Sequence, residues 1–297
     1  MNPTLPPFIQ AQLPPGTESK FIEVDEFRIH YLERGIGKPV FMMHGNPTWS
    51  FLYRNIMLNL DPEIYRCIVP DLVGLGFSQR PSSASFHTLE NHQRVITHFL
   101  DALIEEDFLF VGQDWGGPIG MLASRNTKSR MAGLVLLNTM IRPPKPDFKP
   151  TAFHKFSRIP VVSEVAFRLL GYPQKALEKA QGFPASISGD VKRAYTYPLK
   201  GLNQNAAPLM LARMVPNSHD HPSVPLLKET EQFAAQFAGP AGLFWGKRDP
   251  ILGRLASAHQ KILPNAAVKL TGGGHFIQEE YPAEIASLIA EIAQKAF

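Results

Sequence analysis

One cysteine, Cys67, occurs in 297 residues. No disulfide can close within the chain, which fits a reducing cytoplasm, and Cys67 lies in the apolar run 65–69, where a buried strand residue is expected. Also missing is any apolar stretch long enough to span a bilayer. Met1 to Gly16 is proline-rich, with neither a basic start nor an apolar segment, so no membrane anchor and no secretory signal is expected. No block of lysine and arginine carries interleaved aromatics. The net charge of +4 and pI near 9.1 are modest for this length and spread along the chain, which argues against nucleic acid as a partner. Gly74-Leu75-Gly76 is too short and too apolar for a phosphate cradle and reads as turn punctuation. His219 and His221 flank Asp220 in a proline-bounded loop, too few ligands for zinc, so neither a metal nor a cofactor is expected. There are no internal repeats.

What is present is the make-up of a soluble globular protein, 44% hydrophobic and 19% charged, long enough for one large α/β domain, or a domain with an insertion. Strands are predicted at Phe21 to Val24, Arg28 to Glu33, Pro39 to Met43, Ile64 to Val69, Phe108 onward and Met131 to Asn138. Helices are predicted at Ser50 to Leu60, Leu89 to Glu106, and after the Phe108 strand to about Ser124. Beyond Asn138 the texture changes. Prolines cluster at Pro143, Pro144, Pro146 and Pro150, and short amphipathic helical stretches run to about Val215, where strand signals resume. A helix at Pro225 to Phe237, strands at Ala241 to Gly246 and Ala267 to Leu270, and a helix from Pro282 complete the chain. Alternating strands and helices imply a doubly wound, mostly parallel sheet, and the helical block implies an inserted cap. The expected domains are a core of residues 1–140 and 216–297 and a cap of residues 141–215. Basic residues outnumber acids in the cap, and a solvated surface explains them more simply than an anionic partner. Phe153, Phe156, Phe167, Leu169, Leu170, Met210, Leu211 and Met214 could line an apolar pocket there or form the cap's own core.

The stretch around which this reading turns is Gly112-Gln113-Asp114-Trp115-Gly116. It has the frame of a nucleophile elbow, in which flanking glycines allow a strained strand-to-helix turn to lift the central side chain clear of the sheet. The lifted residue is an acid. A carboxylate there can attack carbon and form an ester; an Asp N-cap on a glycine-rich turn is the plain alternative. Groups at the carboxyl ends of sheet strands provide a filter, and four such ends carry polar candidates: Asn46, Asp114, Asp249 and His275. Their chain order of nucleophile, second acid and histidine is that of an α/β-hydrolase triad.

His44-Gly45-Asn46-Pro47-Thr48-Trp49-Ser50-Phe51-Leu52-Tyr53-Arg54, Gly112-Gln113-Asp114-Trp115-Gly116-Gly117 and Gly273-Gly274-His275-Phe276 resemble the haloalkane dehalogenases of the α/β-hydrolase fold, over nearly the whole chain. The resemblance implies a mostly parallel eight-stranded sheet flanked by helices, with a helical cap. It also implies conversion of a small halogenated hydrocarbon and water to a primary alcohol, halide and proton. Asp114 would attack the halogen-bearing carbon and form an alkyl ester. His275, oriented by Asp249, would activate water to hydrolyse it. Trp115 and Asn46 would hold the leaving halide through indole and amide N–H donors, and their backbone N–H groups would form the oxyanion hole. Trp49 and Trp245 are expected in the core, and His44 is expected to brace its loop.

Two departures narrow the resemblance. Many members carry the triad acid after the strand that precedes the cap, where this chain reads Leu136-Leu137-Asn138-Thr139; the acid is then expected to be Asp249, and Asn138→Asp to be neutral. Others take a halide donor from a cap tryptophan, and residues 141–215 contain none. A late acid with an Asn-Trp pair is similar to a smaller subfamily with an Asp-His-Asp triad, which leaves a homo-oligomer open. An epoxide hydrolase shares the nucleophile and histidine but needs cap tyrosines, for which Tyr172, Tyr195 and Tyr197 are available. A fluoroacetate dehalogenase would want a basic residue where Trp115 stands, a coelenterazine luciferase resembles members with the early acid, and a non-catalytic binding protein would have no need of the full triad.

Overall fold

The computed structural model describes residues 5–145, 148–199 and 205–297; Pro146 of the proline cluster and residues 200–204 of the helical block lie outside them. Eight strands form one sheet: β1 Glu18–Val24, β2 Phe27–Arg34, β3 Lys38–Met43, β4 Tyr65–Pro70, β5 Phe108–Asp114, β6 Met131–Thr139, β7 Ala241–Gly246 and β8 Ala267–Thr271. Their spatial order is β1-β2-β4-β3-β5-β6-β7-β8. β2 pairs antiparallel with both β1 and β4, and every other neighbouring pair is parallel. This is the α/β-hydrolase architecture expected from the sequence.

Alternation along the central strands explains why they read as continuous apolar runs. Phe41 and Met43 of β3 join one apolar cluster and Val40 and Met42 the other, so both faces of the sheet are buried. The first face packs on the helices Leu89–Leu103 and Gly116–Asn126, the second on Pro282–Ala296. Trp49 and Trp245 are fully buried, as expected.

Several boundaries differ from expectation. The stretch predicted as one helix from Ser50 is a tight turn, Ser50–Tyr53, followed by the helix Arg54–Asn59. The Ser50 N–H donates to Asp71 Oδ1 at 2.7 Å, which fixes the start of this stretch against the loop after β4. The helix predicted to reach Glu106 stops at Leu103, because Ile104 is extended. The carbonyls this frees are taken by Arg66 Nη1 (3.2 Å, Leu103) and Ser129 Oγ (2.6 Å, Ile104). No strand begins near Val215. The chain runs through Pro216 and Pro222 into the helix Ser223–Gln236, two residues earlier than predicted, and prolines in this stretch cannot donate to a ladder.

The segment between β6 and β7 carries short helical pieces, among them Ala152–Phe156, Gly189–Thr196 and Ala206–Arg213. Phe167, Leu209 and Ala212, with Phe153, Phe156 and Tyr172 against them, make a small apolar cluster of its own, whereas Leu169 and Leu170 are exposed. Most of the candidate pocket residues are therefore core or surface of this layer. It is tied down at buried polar points. Trp49 Nε1 donates to Ala194 O at 3.1 Å, and the Tyr195 hydroxyl donates to Glu279, whose carboxylate is held by Arg54 at 2.5 and 2.9 Å. Among the described residues no helix is long and apolar enough to cross a membrane.

Candidate active site

The chain order of the sheet reverses at β3, which lies between β4 and β5, and the crevice at the carboxyl ends of such neighbouring strands is where α/β sheets hold ligands. Asn46 follows β3 and Asp114 ends β5, so both stand at this crevice. Asp114 has φ +50, a left-handed conformation unusual for a non-glycine residue. The turn leaves no room for side chains beside it. A Cβ on Gly45 would lie 2.4 Å from Asp114 Oδ1, and one on Gly116 2.2 Å from the Met43 carbonyl oxygen. Thr139 Oγ1 donates to the Asp114 carbonyl at 2.6 Å and fixes the backbone.

The Asp114 carboxylate accepts the Asn46 backbone N–H at Oδ1, 2.8 Å, and is also bonded by the Trp115 backbone N–H. Burial raises its pKa. The His275 ring and these two N–H groups oppose the rise without cancelling it.

His275 is buried in the loop after β8, its backbone N–H bonded to Ala180 O at 2.8 Å. Its Nδ1 lies 2.8 Å from Asp249 Oδ2, and its Nε2 lies 3.6 Å from Asp114 Oδ2, alongside the carboxylate but beyond hydrogen-bond reach. Asp249, after β7, accepts the N–H groups of Ile251 (2.7 Å) and Leu252 (3.1 Å) at Oδ1. Burial would lower the His275 pKa, but the Asp249 carboxylate and its hydrogen bond, with Asp114 adding, hold it above the ordinary histidine value. For Asp249 burial pushes upward, and the His275 charge, that hydrogen bond and the Asn138 amide outweigh it, so its carboxyl sits below the usual range.

The sheet thus brings Asp114, Asp249, His275 and Asn46 together. Trp115 adjoins them, but the N–H donors expected to face a leaving group are turned elsewhere. Trp115 Nε1 donates to Leu211 O at 2.9 Å and Asn46 Nδ2 to Pro208 O at 2.9 Å, both carbonyls of the helix Ala206–Arg213. Asn46 Oδ1 is buried without a partner. His44 bonds Gly45 O through Nδ1 (2.9 Å) and accepts the Leu72 N–H at Nε2 (3.0 Å), the loop-bracing role expected of it. Among the described residues no group of three or more His, Cys, Asp and Glu is placed to hold a metal ion.

Comparison with known proteins gives the family. The profile of the α/β-hydrolase fold matches residues 38–282. Haloalkane dehalogenase 2 of Mycobacterium tuberculosis is 33% identical over 284 residues, covering 92% of this chain and 94% of that protein. This chain belongs to the haloalkane dehalogenases. Solved structures of haloalkane dehalogenases agree. DatA from Agrobacterium tumefaciens C58 superposes with a TM-score of 0.84 at 27% identity, covering 95% of this chain and 98% of that one. DbeA from Bradyrhizobium elkani USDA94 superposes with a TM-score of 0.82 at 26% identity, covering 94% and 99%.

Three further residues, none given a role at the site from the sequence, adjoin it. Asn138, at the end of β6 with φ +26, donates to Asp249 Oδ2 at 2.7 Å and accepts the Gly246 N–H at 2.7 Å, contacts that argue against the neutrality expected of Asn138→Asp. Gln113 Nε2 donates to the His275 carbonyl at 3.1 Å. His154, on the helix Ala152–Phe156, is buried with Nδ1 2.8 Å from Thr151 Oγ1; burial, with the charges of Arg158, His275 and Arg254 adding, pushes its pKa down to about 4. Asn138 was legible as the counterpart of an acid in other members; His154 gave no signal in its phenylalanine-rich helix.

The cavity over Asp114 has two arms, of about 440 and 320 Å³, sharing Asp114, Trp115, Thr151, His154, Val215 and Ile251. The smaller arm runs past His275, Phe153 and Tyr172. The larger runs between residues 140–145 and 148–151 on one side and the stretch 251–258 on the other.

Proposed function

We propose that this chain hydrolyses carbon–halogen bonds of haloalkanes through an alkyl ester on Asp114. The supporting observation is a carboxylate with one oxygen on the Asn46 backbone N–H and the other beside a histidine that a second carboxylate orients. In the first step an Asp114 oxygen forms a bond to the substrate carbon as the carbon–halogen bond breaks, and the electron pair leaves with the halide. In the second, water attacks the ester carbonyl carbon while His275 Nε2 takes its proton. The carbonyl oxygen then develops charge where the backbone N–H groups of Asn46 and Trp115 can receive it. Loss of the alkoxide, protonated by the imidazolium, gives the alcohol and an Asp114 carboxyl carrying one oxygen from water, which releases the second water proton to solvent and is a carboxylate again. Residues 141–215 act as a cap that keeps bulk water out.

Asn46 and Trp115 are the donors for the halide in this reading. The Asn46 amide has a second N–H to offer, but Trp115 has one, so it must leave Leu211 O as the halide charge develops. Bromide release from 1-bromobutane or 1,2-dibromoethane tests the activity, and no release from a broad panel of bromoalkanes overturns it. Turnover in H₂¹⁸O tests the route, because the label must enter the Asp114 side chain.

An epoxide hydrolase would need a free cap tyrosine. Tyr195 spends its hydroxyl on buried Glu279, while Tyr172 lines the smaller arm. Faster turnover of styrene oxide than of bromoalkanes would favour that chemistry.

A further inference from the structure

Resting on the dehalogenase reading, we propose that the larger arm of the cavity is a subsite for an anionic tail, so that the preferred substrates are haloalkanes carrying a carboxylate at the far end. The arm begins at Asp114 and His154 and its outer wall holds Arg142, Lys145, Lys149 and Arg254; the only acid among its described lining residues is Asp114 itself. Arg142 is partly neutralised by Glu231 at 3.6 Å. Lys145, Lys149 and Arg254 have no ion pair with a described residue and are exposed at the mouth. The sequence places one acid in this stretch, Asp147, outside the described residues, so cations remain in excess. The smaller arm has a single cation, Lys179, and so cannot supply the same field.

Charge decides where such a substrate can sit. A carboxylate next to the Asp114 nucleophile would be repelled, whereas one held at the mouth, with the alkyl chain spanning the apolar stretch of Met140, Val215 and Leu252, meets cations and leaves the halogen end at Asp114. Lys145, Lys149 and Arg254 all line this one arm, which a solvated cap surface alone does not require.

Bromide release should be compared for ω-bromoalkanoates from 4-bromobutyrate to 8-bromooctanoate, the matching neutral amides and the matching trimethylammonium compounds. At low salt the best carboxylate should exceed its amide in kcat/KM by about tenfold, the sum of a few exposed pairs, with the cation lowest. That ratio should collapse toward one at about 0.5 M salt and in the variant Lys145→Glu/Lys149→Glu/Arg254→Glu. A carboxylate no better than its amide, or a ratio unmoved by salt and by the variant, overturns the subsite while leaving the dehalogenase reading intact. Calorimetric titration of octanoate against octanamide in both proteins reads the same subsite without turnover. Equal affinities there overturn it even if no substrate releases bromide, the outcome that would instead sink the dehalogenase reading.

Discussion

Asn138 and His275 bond the same oxygen of Asp249, Oδ2, at 2.7 and 2.8 Å. An amide there stabilises the carboxylate; a second carboxylate would not. In Asn138→Asp two acids would share one proton in a buried site, the Asp249 pKa would rise, and His275 would lose much of its anionic partner. A fall of at least tenfold in turnover at neutral pH is expected, with Asp249→Asn costing about 10³–10⁴-fold. Steady-state bromide release checks both, and a fully active Asn138→Asp would mean that the amide contact is incidental.

His275→Phe removes the base without touching the nucleophile. Alkylation should proceed once and stop, giving one bromide per chain and an added alkyl mass on the peptide containing Asp114. Mass spectrometry after digestion is decisive, because an unmodified peptide leaves no place for the ester.

The strands were legible because each central one is buried on both faces and reads as an apolar run, and the grouping of Asp114, Asp249 and His275 was legible because all three stand at strand ends. What the sequence could not carry were contacts set by the cap. Trp115 meets Leu211 and Asn46 meets Pro208 across 96 and 162 residues, with no local pattern to mark either. The helix end at Leu103 was hidden for a similar reason: Arg66 and Ser129, remote in sequence, take the freed carbonyls.

The raised His275 pKa sets the direction of the acid limb. His275 acts as base only when neutral, so hydrolysis should be full above its pKa and fall as pH drops through it, with a midpoint above the ordinary histidine value of about 6.5. Asp114 is also raised, from the carboxylate range, but the protonated His275 ring beside it favours its anion, so the window expected on the acid limb has Asp114 ionised and His275 protonated. Alkylation continues in that window and hydrolysis does not, and rapid-quench mass spectrometry of the wild type should find the ester accumulating as pH falls. A constant ester fraction across the acid limb would place the titrating group elsewhere.

Trp115 is the sharpest test of the leaving-group site, because its single N–H serves Leu211 O at 2.9 Å before any halide is present. Trp115→Phe should therefore do two things. It leaves the Leu211 carbonyl without its donor, at a cost of about 1–3 kcal/mol that a lowered thermal midpoint would report. It also removes a donor needed as halide charge develops, lowering kcat/KM by about 10²–10³-fold, and more for chloroalkanes than for iodoalkanes, since the smaller anion concentrates its charge. The two effects separate by measurement. Loss of stability with an unchanged chloride-to-iodide ratio would confine Trp115 to holding the cap helix, whereas a changed ratio places its N–H on the halide.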